Sequence, residues 1–288
     1  MREQVIDLIR QSGLTRVAAQ IEGYVKDSIR LIPEKTNEEN LKIGVTKIGG
    51  HPDLPPEIQW PSWNNIPQSF IAQLRLADFI DFDFADQLPQ NGWLYFFYDA
   101  EQSVIGIDPK DRGGWSVHYF DGNESVLARR EFPTNLPVHS QFNACHVKRL
   151  AEPTIPSSDS IYIEQLELTH EERELYWALY DQVHELHRKR NGALHRILGY
   201  PDPVQGDVHY ECQLAFNGLD VGEAKSYTDP IAAKLNPARK EWQLLLQIDS
   251  DQQAGMMWGD VGSIYFSMQS RDLEQKRFEQ AWFTYQCS

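Results

Sequence analysis

Five aspartates in the second half of the chain could supply the oxygen ligands that a hard divalent cation needs. They are Asp202, Asp207, Asp249, Asp251 and Asp260. Mg²⁺ and Ca²⁺ take several carboxylate or carbonyl oxygens, and a bound ion could activate water for hydrolysis. Asp249, Asp251 and Asp260 also have the spacing of calcium-loop ligands, but Ala254 stands where the sharp turn of an EF-hand needs glycine. The alternative interpretation is that these aspartates form turns and cap chain reversals.

Two histidines, His184 and His187, lie three residues apart in a segment that we predict to be helical. Zinc proteases place their two histidine ligands four residues apart on a helix, so this pair is one residue short of that spacing. On a helical wheel His184 points nearly opposite the apolar stripe. The pattern therefore predicts a solvated helix face rather than a metal site.

The sequence offers no familiar nucleophile. It contains neither a Gly-x-Ser-x-Gly elbow nor a Gly-x-x-x-x-Gly-Lys phosphate loop. The three cysteines are far apart and odd in number, which favours a reduced chain. Cys145 and His146 are neighbours in a predicted strand, so their side chains point to opposite faces. We expect no catalytic residue and no cofactor.

Trp258 is the aromatic residue that could contact a partner. It lies in a predicted loop between Met257 and Gly259, and tryptophan and methionine are favoured at binding hot spots. The alternative is that its ring packs on the core of its own chain. The predicted set for binding a ligand or partner consists of Asp202, Gln205, Asp207, Trp258 and Asp260.

The charge balance restricts the class of partner. The chain has 27 Lys and Arg against 42 Asp and Glu, a net charge of −15 at pH 7. Such a surface repels nucleic acids and anionic membranes and attracts a basic protein. No apolar run approaches the roughly 18 residues of a spanning helix, and the first residues do not form a secretory leader. We therefore expect a cytoplasmic protein; the sequence leaves its oligomeric state open.

The periodicity of apolar residues predicts an α+β fold. Residues 1–44 are predicted to form an N-terminal helical segment, with an apolar stripe from Leu14 to Ile29 and an end at Pro33. A long helix is predicted over about 170–190, because Thr169 and Glu172 form a capping box. Short alternating strands with glycine, proline and aspartate turns occupy most of the remaining chain.

The two halves of the chain contain similar blocks. Gly50-His51-Pro52-Asp53 is matched by Gly199-Tyr200-Pro201-Asp202, and three further strand blocks match in order. We therefore predict two pseudo-repeated, mainly antiparallel β units in one body, at residues 45–155 and 196–288. A connecting segment, residues 156–195, would carry the long helix between the halves.

Several of these blocks resemble the YwqG-like family of bacterial proteins. The similar blocks are KIGGHPDLP (47–55) with Trp60-Pro61, FIAQL (70–74), NGWLYFFYD (91–99), LGYPDPVQGD (198–207), WQLLLQIDSD (242–251) and MWGD (257–260) through Phe266. The resemblance runs from about residue 40 to the C-terminus. It implies an uncharacterised domain without assigned catalytic residues. Some relatives lie in toxin–immunity neighbourhoods, which implies an intracellular, protein-binding role of the immunity type.

The leading hypothesis from the sequence is a non-catalytic cytoplasmic module that binds a protein partner, a basic one by charge. The alternative is a hydrolase that depends on a divalent metal ion held by Asp249, Asp251 and Asp260.

Overall fold

The computed structural model describes residues 1–287, apart from the side chains of 190 and 191. The chain is 33% helical and 26% strand, so it has the predicted mixture of helix and antiparallel sheet. The strands are β1 (Lys26–Lys35), β2 (Lys47–Ile48), β3 (Asp53–Leu54), β4 (Ser62–Trp63), β5 (Ile66–Pro67), β6 (Ser69–Arg75), β7 (Trp93–Tyr98), β8 (Trp115–Phe120), β9 (Ala128–Arg129), β10 (Cys145–Thr154), β11 (Arg196–Ile197), β12 (Trp242–Asp249), β13 (Ser263–Gln269) and β14 (Trp282–Gln286). The helices are α1 (Arg2–Gln11), α2 (Ala18–Tyr24), α3 (Ile161–Glu164), α4 (His170–Asn191), α5 (Val208–Phe216), α6 (Ala224–Tyr227), α7 (Pro230–Leu235) and α8 (Ser270–Glu274).

One ten-stranded antiparallel sheet has β1 and β10 at its centre, paired over ten residues each. Beyond β1 follow β11, β12, β13 and β14, and beyond β10 follow β2, β6, β7 and β8. The strand order on the two sides is therefore the same. Strand β1, which precedes the first set in the chain, lies beside the second set, and β10, which precedes the second set, lies beside the first.

Strand β1 shows that the predicted helix up to Pro33 is wrong. The helices α1 and α2 end at Gln11 and Tyr24, and an extended chain follows. From Ser28 to Leu31 polar and apolar residues alternate, which favours a strand. The nitrogen of Pro33 lies on the side of β1 that faces β11, as does Leu31 N–H, which donates to His195 O at 2.9 Å. The β1–β11 pairing covers Ile29 and Arg30, so Pro33 lies beyond it. No ladder hydrogen bond is therefore lost at the proline.

The sheet curls until its two end strands meet, which gives a near-barrel around the main apolar core. Trp115 on β8 and Trp282 on β14 lie with ring centroids 4.9 Å apart. Each indole N–H finds a carbonyl: Trp115 donates to Ala281 O at 2.9 Å and Trp282 to Gly106 O at 2.8 Å. These contacts bury the side chains of Trp115 and Trp282 between the two end strands.

Each half of the sheet contains the same hydrogen bonds around one aspartate. In the first half Asp53 N–H donates to Gln73 Oε1 at 2.8 Å, and Tyr95 O–H donates to Asp53 O at 2.8 Å. The corresponding residues of the second half are Asp202, Gln247 and Tyr265, with distances of 2.9 and 2.7 Å. The backbone of both turns is therefore fixed by the same side chains.

A glycine begins each of these two turns. Gly50 and Gly199 have φ angles of 71° and 68°, which glycine adopts without strain. A Cβ at either position would lie 2.7 Å from a neighbouring Cβ, that of Ala144 or of Ser28. The close approach and the positive φ both explain why glycine occupies these positions.

Helix α4 has the predicted capping box, in which Thr169 and Glu172 exchange hydrogen bonds with each other's backbone. One face of α4 packs with α1 and α2 in a second apolar cluster. Its members include Val5, Ile9, Val17, Ile21, Tyr176, Leu179 and Val183. Within residues 1–287, no helix combines the length and apolar character needed to cross a membrane.

Candidate functional site

The structure brings together part of the predicted binding set. Asp202, Gln205 and Asp207 lie on the segment between β11 and α5, whereas Trp258 and Asp260 lie in the connection between β12 and β13. Gln205 N–H donates to Gln286 Oε1 at 2.9 Å, which ties this segment to β14. The segment between β11 and α5 therefore carries three of the five predicted residues.

Trp258 is packed in the core. Its side chain is 0% exposed, and its ring lies 6.0 Å from that of Tyr98 and 5.5 Å from that of Phe142. The loop holds it there through Ser250 Oγ, which accepts from Trp258 N–H at 2.9 Å. The packing alternative thus describes this residue, and its ring is not presented to a partner.

Two aspartates of the metal hypothesis, Asp249 and Asp251, accept hydrogen bonds from the protein's own donors. Asp249 Oδ2 accepts from Leu194 N–H at 2.6 Å, and its Oδ1 accepts from Ser263 O–H at 2.7 Å. Asp251 accepts from Ala254 N–H at 2.9 Å and lies 3.4 Å from His195 Nε2. In residues 1–287 no group of three or more His, Cys, Asp or Glu side chains could hold a metal ion. The geometry gives no support to the metal-dependent hydrolase.

Asp202 lies under α4, and two side chains of that helix contact its carboxylate. Tyr180 O–H donates to Oδ1 at 2.9 Å, and His184 Nε2 lies 2.6 Å from Oδ2. The predicted solvated face is therefore wrong: His184 reaches a carboxylate and His187 is buried. Burial, with help from the positive charges of nearby arginines, lowers the pKa of His187 to about 3. The helical wheel missed this because α4 packs on two sides.

Charged residues of three strands form a buried cluster beneath the same helix. Arg30 Nη1 donates to Glu152 Oε2 at 3.0 Å, and Arg196 Nη2 lies 3.6 Å from the same oxygen. Burial lowers the pKa of Arg30 to about 10, although Glu152 acts in the opposite direction. These residues escaped the sequence analysis, since charged side chains are normally expected at the surface. Their proximity becomes evident only from the order β11-β1-β10 in the sheet.

Asp207 caps the first turn of α5. Its Oδ1 accepts from His209 N–H at 2.9 Å, and Arg239 Nη1 donates to its Oδ2 at 3.0 Å. Burial raises the pKa of Asp207 to about 6, while the charge of Arg239 opposes that rise. Arg239 also pairs with Glu164. Both predicted carboxylates of this segment are therefore held by internal partners.

Three cavities lie near α4 and the segment between β11 and α5. Two narrow clefts share Pro201: one is lined by Asp202, His184, His187 and Arg196, the other by Asp207, His209, Tyr200 and Arg239. A larger cavity of about 340 Å³ lies beside α3 and α4. Its lining residues are Ser158, Asp159, Ile163, Glu164, Leu168, Arg173, Tyr176 and Trp177. Sequence reasoning missed Trp177, although a tryptophan on the outer face of an amphipathic helix was a signal for it.

Comparison with known proteins gives the family of the chain. A search of the curated proteins finds no match. The family described as "Domain of unknown function (DUF1963)" matches residues 46–287, which include every predicted site residue. The match confirms that the resemblance is to an uncharacterised domain family, while no named relative supports the YwqG-like name. Because it covers well over half of the sequence, the chain belongs to the DUF1963 family.

Proposed function

We propose that this protein is a non-catalytic binding module that contacts a basic segment of a protein partner. The binding surface would consist of Asp159 and Trp177, which line the 340 Å³ cavity, and of the exposed residues Glu174 and Asp181 of α4; it is called here the Trp177 surface. The observation that carries the proposal is the exposure of Trp177 at the edge of this cavity. The binding is proposed to take place in the cytoplasm.

Trp177 has the character of an interface anchor. Its side chain is 49% exposed, whereas the ring of Trp258 is buried. Tryptophan is enriched among the residues that dominate binding energy, particularly beside a pocket that a partner can fill. Ile163, Leu168 and Tyr176 give the adjacent cavity an apolar wall. A partner side chain seated there would bury apolar area together with the indole.

The charges around Trp177 favour a basic partner. Glu174 precedes Trp177 by three residues and Asp181 follows it by four, so both lie on the same face of α4 as the indole. Together with Asp159 they form no ion pair within the described part of the chain. Arg173 is the basic residue of the lining. These carboxylates, with the net charge of −15, would steer a basic segment to the site.

The chemistry of the remaining candidates supports a role without catalysis. Asp202 and Asp207 are held by internal donors, as described above. Burial raises the pKa of the Cys145 thiol to about 12, which keeps it protonated at neutral pH. A protonated thiol is a poor nucleophile.

We also infer that the two halves arose from one duplicated β unit whose central strands were exchanged. The equal strand order on both sides of β1 and β10 supports this, as do the matching bonds around Asp53 and Asp202. In the first copy Arg129 Nε lies 2.8 Å from Asp53 Oδ1. In the second copy α4 takes that place, and the three cavities lie on this side of the fold.

Reversal of charge on the Trp177 surface tests the proposed function. We expect the double variant Glu174→Lys and Asp181→Lys to lower the association rate with the partner at least about tenfold at low salt. The matched control is Glu3→Lys with Asp7→Lys, which makes the same change in net charge on exposed positions of α1. The ligand is the set of proteins captured from the source cell at about 50 mM and at about 500 mM NaCl. The two concentrations are compared because the higher one shortens the Debye length and screens exposed charges. An equal decrease of the association rate in both double variants would show that only the net charge of the protein matters and would contradict the proposal.

A further inference from the structure

Buried polar atoms without partners are concentrated around the segment between β11 and α5. In the described part of the chain, 16 buried side-chain N or O atoms have no hydrogen-bond partner. Nine of them belong to residues in or beside the two clefts that share Pro201. They are carried by Arg30, Glu152, Ser160, His187, Arg196 (two atoms), Tyr200, His209 and Arg239. Since buried polar groups are nearly always paired, such a concentration needs an explanation.

The cleft on the α5 side is lined by several side chains that can donate hydrogen bonds and have an unpartnered polar atom. Arg239 is 2% exposed and Tyr200 4% exposed, and both line the cleft together with Ser160 and His209. Arg239 Nε, Tyr200 O–H and Ser160 O–H have no acceptor within residues 1–287. A guanidinium N–H can only donate. The cleft therefore suits a group that accepts hydrogen bonds.

A cation without a carboxylate partner lies beside this cleft. Lys26 Nζ lies 4.7 Å from the ring centroid of Tyr200 and 5.3 Å from that of Tyr162, and both rings line the cleft. Its Nζ has no acceptor or ion-pair partner in the described residues. Burial lowers the pKa of Lys26, which reflects the missing counter-charge.

The charges around the cleft add up to one positive charge. Lys26 and Arg239 contribute two positive charges, and Asp207, which accepts from Arg239, contributes one negative charge when ionised. Two further charges of opposite sign adjoin this set and cancel in the sum: Glu164 pairs with Arg239, and the ammonium of Lys240 lies 5.4 Å from the ring centroid of Tyr162. A ligand with a single negative charge would balance this set.

We propose that this cleft binds the carboxylate of a small organic acid, which accepts hydrogen bonds from Arg239 Nε, Tyr200 O–H and Ser160 O–H near the ammonium of Lys26. The cleft offers about 10 Å³, about the volume that one water molecule needs. A carboxylate oxygen fits this space, with the rest of the acid in the open mouth. A phosphate group is bulkier and carries more charge than the cleft balances. This site is separate from the Trp177 surface and does not depend on the function proposed there.

Amide NMR titration of the full chain with sodium acetate, at constant ionic strength with sodium chloride as the balancing salt, tests the site. We expect saturable shifts at the cleft. Lys26→Met should weaken acetate binding at least about tenfold, because it removes a charged partner. Tyr200→Phe should weaken it about threefold to tenfold, as expected for one neutral hydrogen bond.

Folding and binding are separable in these variants. Tyr200→Phe removes a buried hydroxyl that has no partner, so its thermal stability should equal or exceed that of the wild type. Tyr227→Phe, on an exposed tyrosine of α6, is the matched control and should bind acetate normally. Any of three results would overturn the proposal: acetate shifts that do not saturate, an acetate affinity that is unchanged in Lys26→Met, or chloride shifts equal to those caused by acetate. Tighter binding of inorganic phosphate than of acetate would overturn the choice of a carboxylate.

Discussion

Trp258→Ala is expected to lower the free energy of unfolding by about 3–5 kcal/mol. The indole is fully buried between the rings of Tyr98 and Phe142, and alanine would leave a cavity there. The connection between β12 and β13 would also lose the side chain that fixes it to the core. Urea denaturation followed by circular dichroism measures the change.

The matched control is Trp177→Ala, which removes the same side chain from an exposed position. We expect it to change the free energy of unfolding by no more than about 0.5 kcal/mol. Similar losses of stability in both variants would contradict the assignment of one tryptophan to the core and the other to the surface.

Asp53→Asn is expected to destabilise the fold by about 3 kcal/mol. Asp53 is fully buried, Arg129 Nε donates to it at 2.8 Å, and the buried ammonium of Lys47 lies 3.4 Å from it. The amide retains an acceptor but removes the negative charge between two cations, leaving Glu38 as their remaining partner. Asp202→Asn, at the matching turn, should cost about 1 kcal/mol, because its partners are the side chains of Tyr180 and His184.

The loss caused by Asp53→Asn should depend on pH. Burial by itself would raise the pKa of Asp53, but the hydrogen bonds from Arg129 and Gln73 and the charge of Lys47 lower it below its ordinary value of 3.8. The folded state therefore holds the ionised form more firmly than the unfolded state does. The stability difference between wild type and variant should be complete at neutral pH and should shrink as the pH falls below 3.8 through the folded pKa. A difference that grows on acidification would refute this account of Asp53.

Regular alternation and capping allowed much of the fold to be predicted. The strands β6, β7, β12 and β13 and the capping box of α4 follow from local patterns that tertiary contacts do not override. Strand β1 was not predicted, because Ile29 continues the helical stripe that begins at Leu14. The alternation from Ser28 to Leu31 is short, and the strand depends on pairing with β10, far along the chain. The exchange of the two central strands is likewise a long-range property.

The candidate site was harder to predict than the fold. Asp202, Gln205 and Asp207 lie on one segment because they are close in sequence, but Asp202 and Asp207 line two different clefts. Whether a carboxylate is free or held depends on residues such as Tyr180 and Arg239, which no local pattern connects to it. The same limit applied to tryptophan. The sequence left both contact with a partner and packing on the core open for Trp258, and the loop folds inward, whereas Trp177 on a regular helix remains exposed.

The central claim is that the Trp177 surface binds a basic protein partner. Quantitative affinity purification from the source cell, with immobilised wild type, Trp177→Ala and Ile231→Ala, tests it most directly. Ile231 is the control because its apolar side chain is 51% exposed on α7, outside the cavity. We predict a basic protein that wild type and Ile231→Ala retain at low salt, that high salt releases, and that Trp177→Ala fails to retain. Retention of the same proteins by all three forms of the chain would contradict the claim.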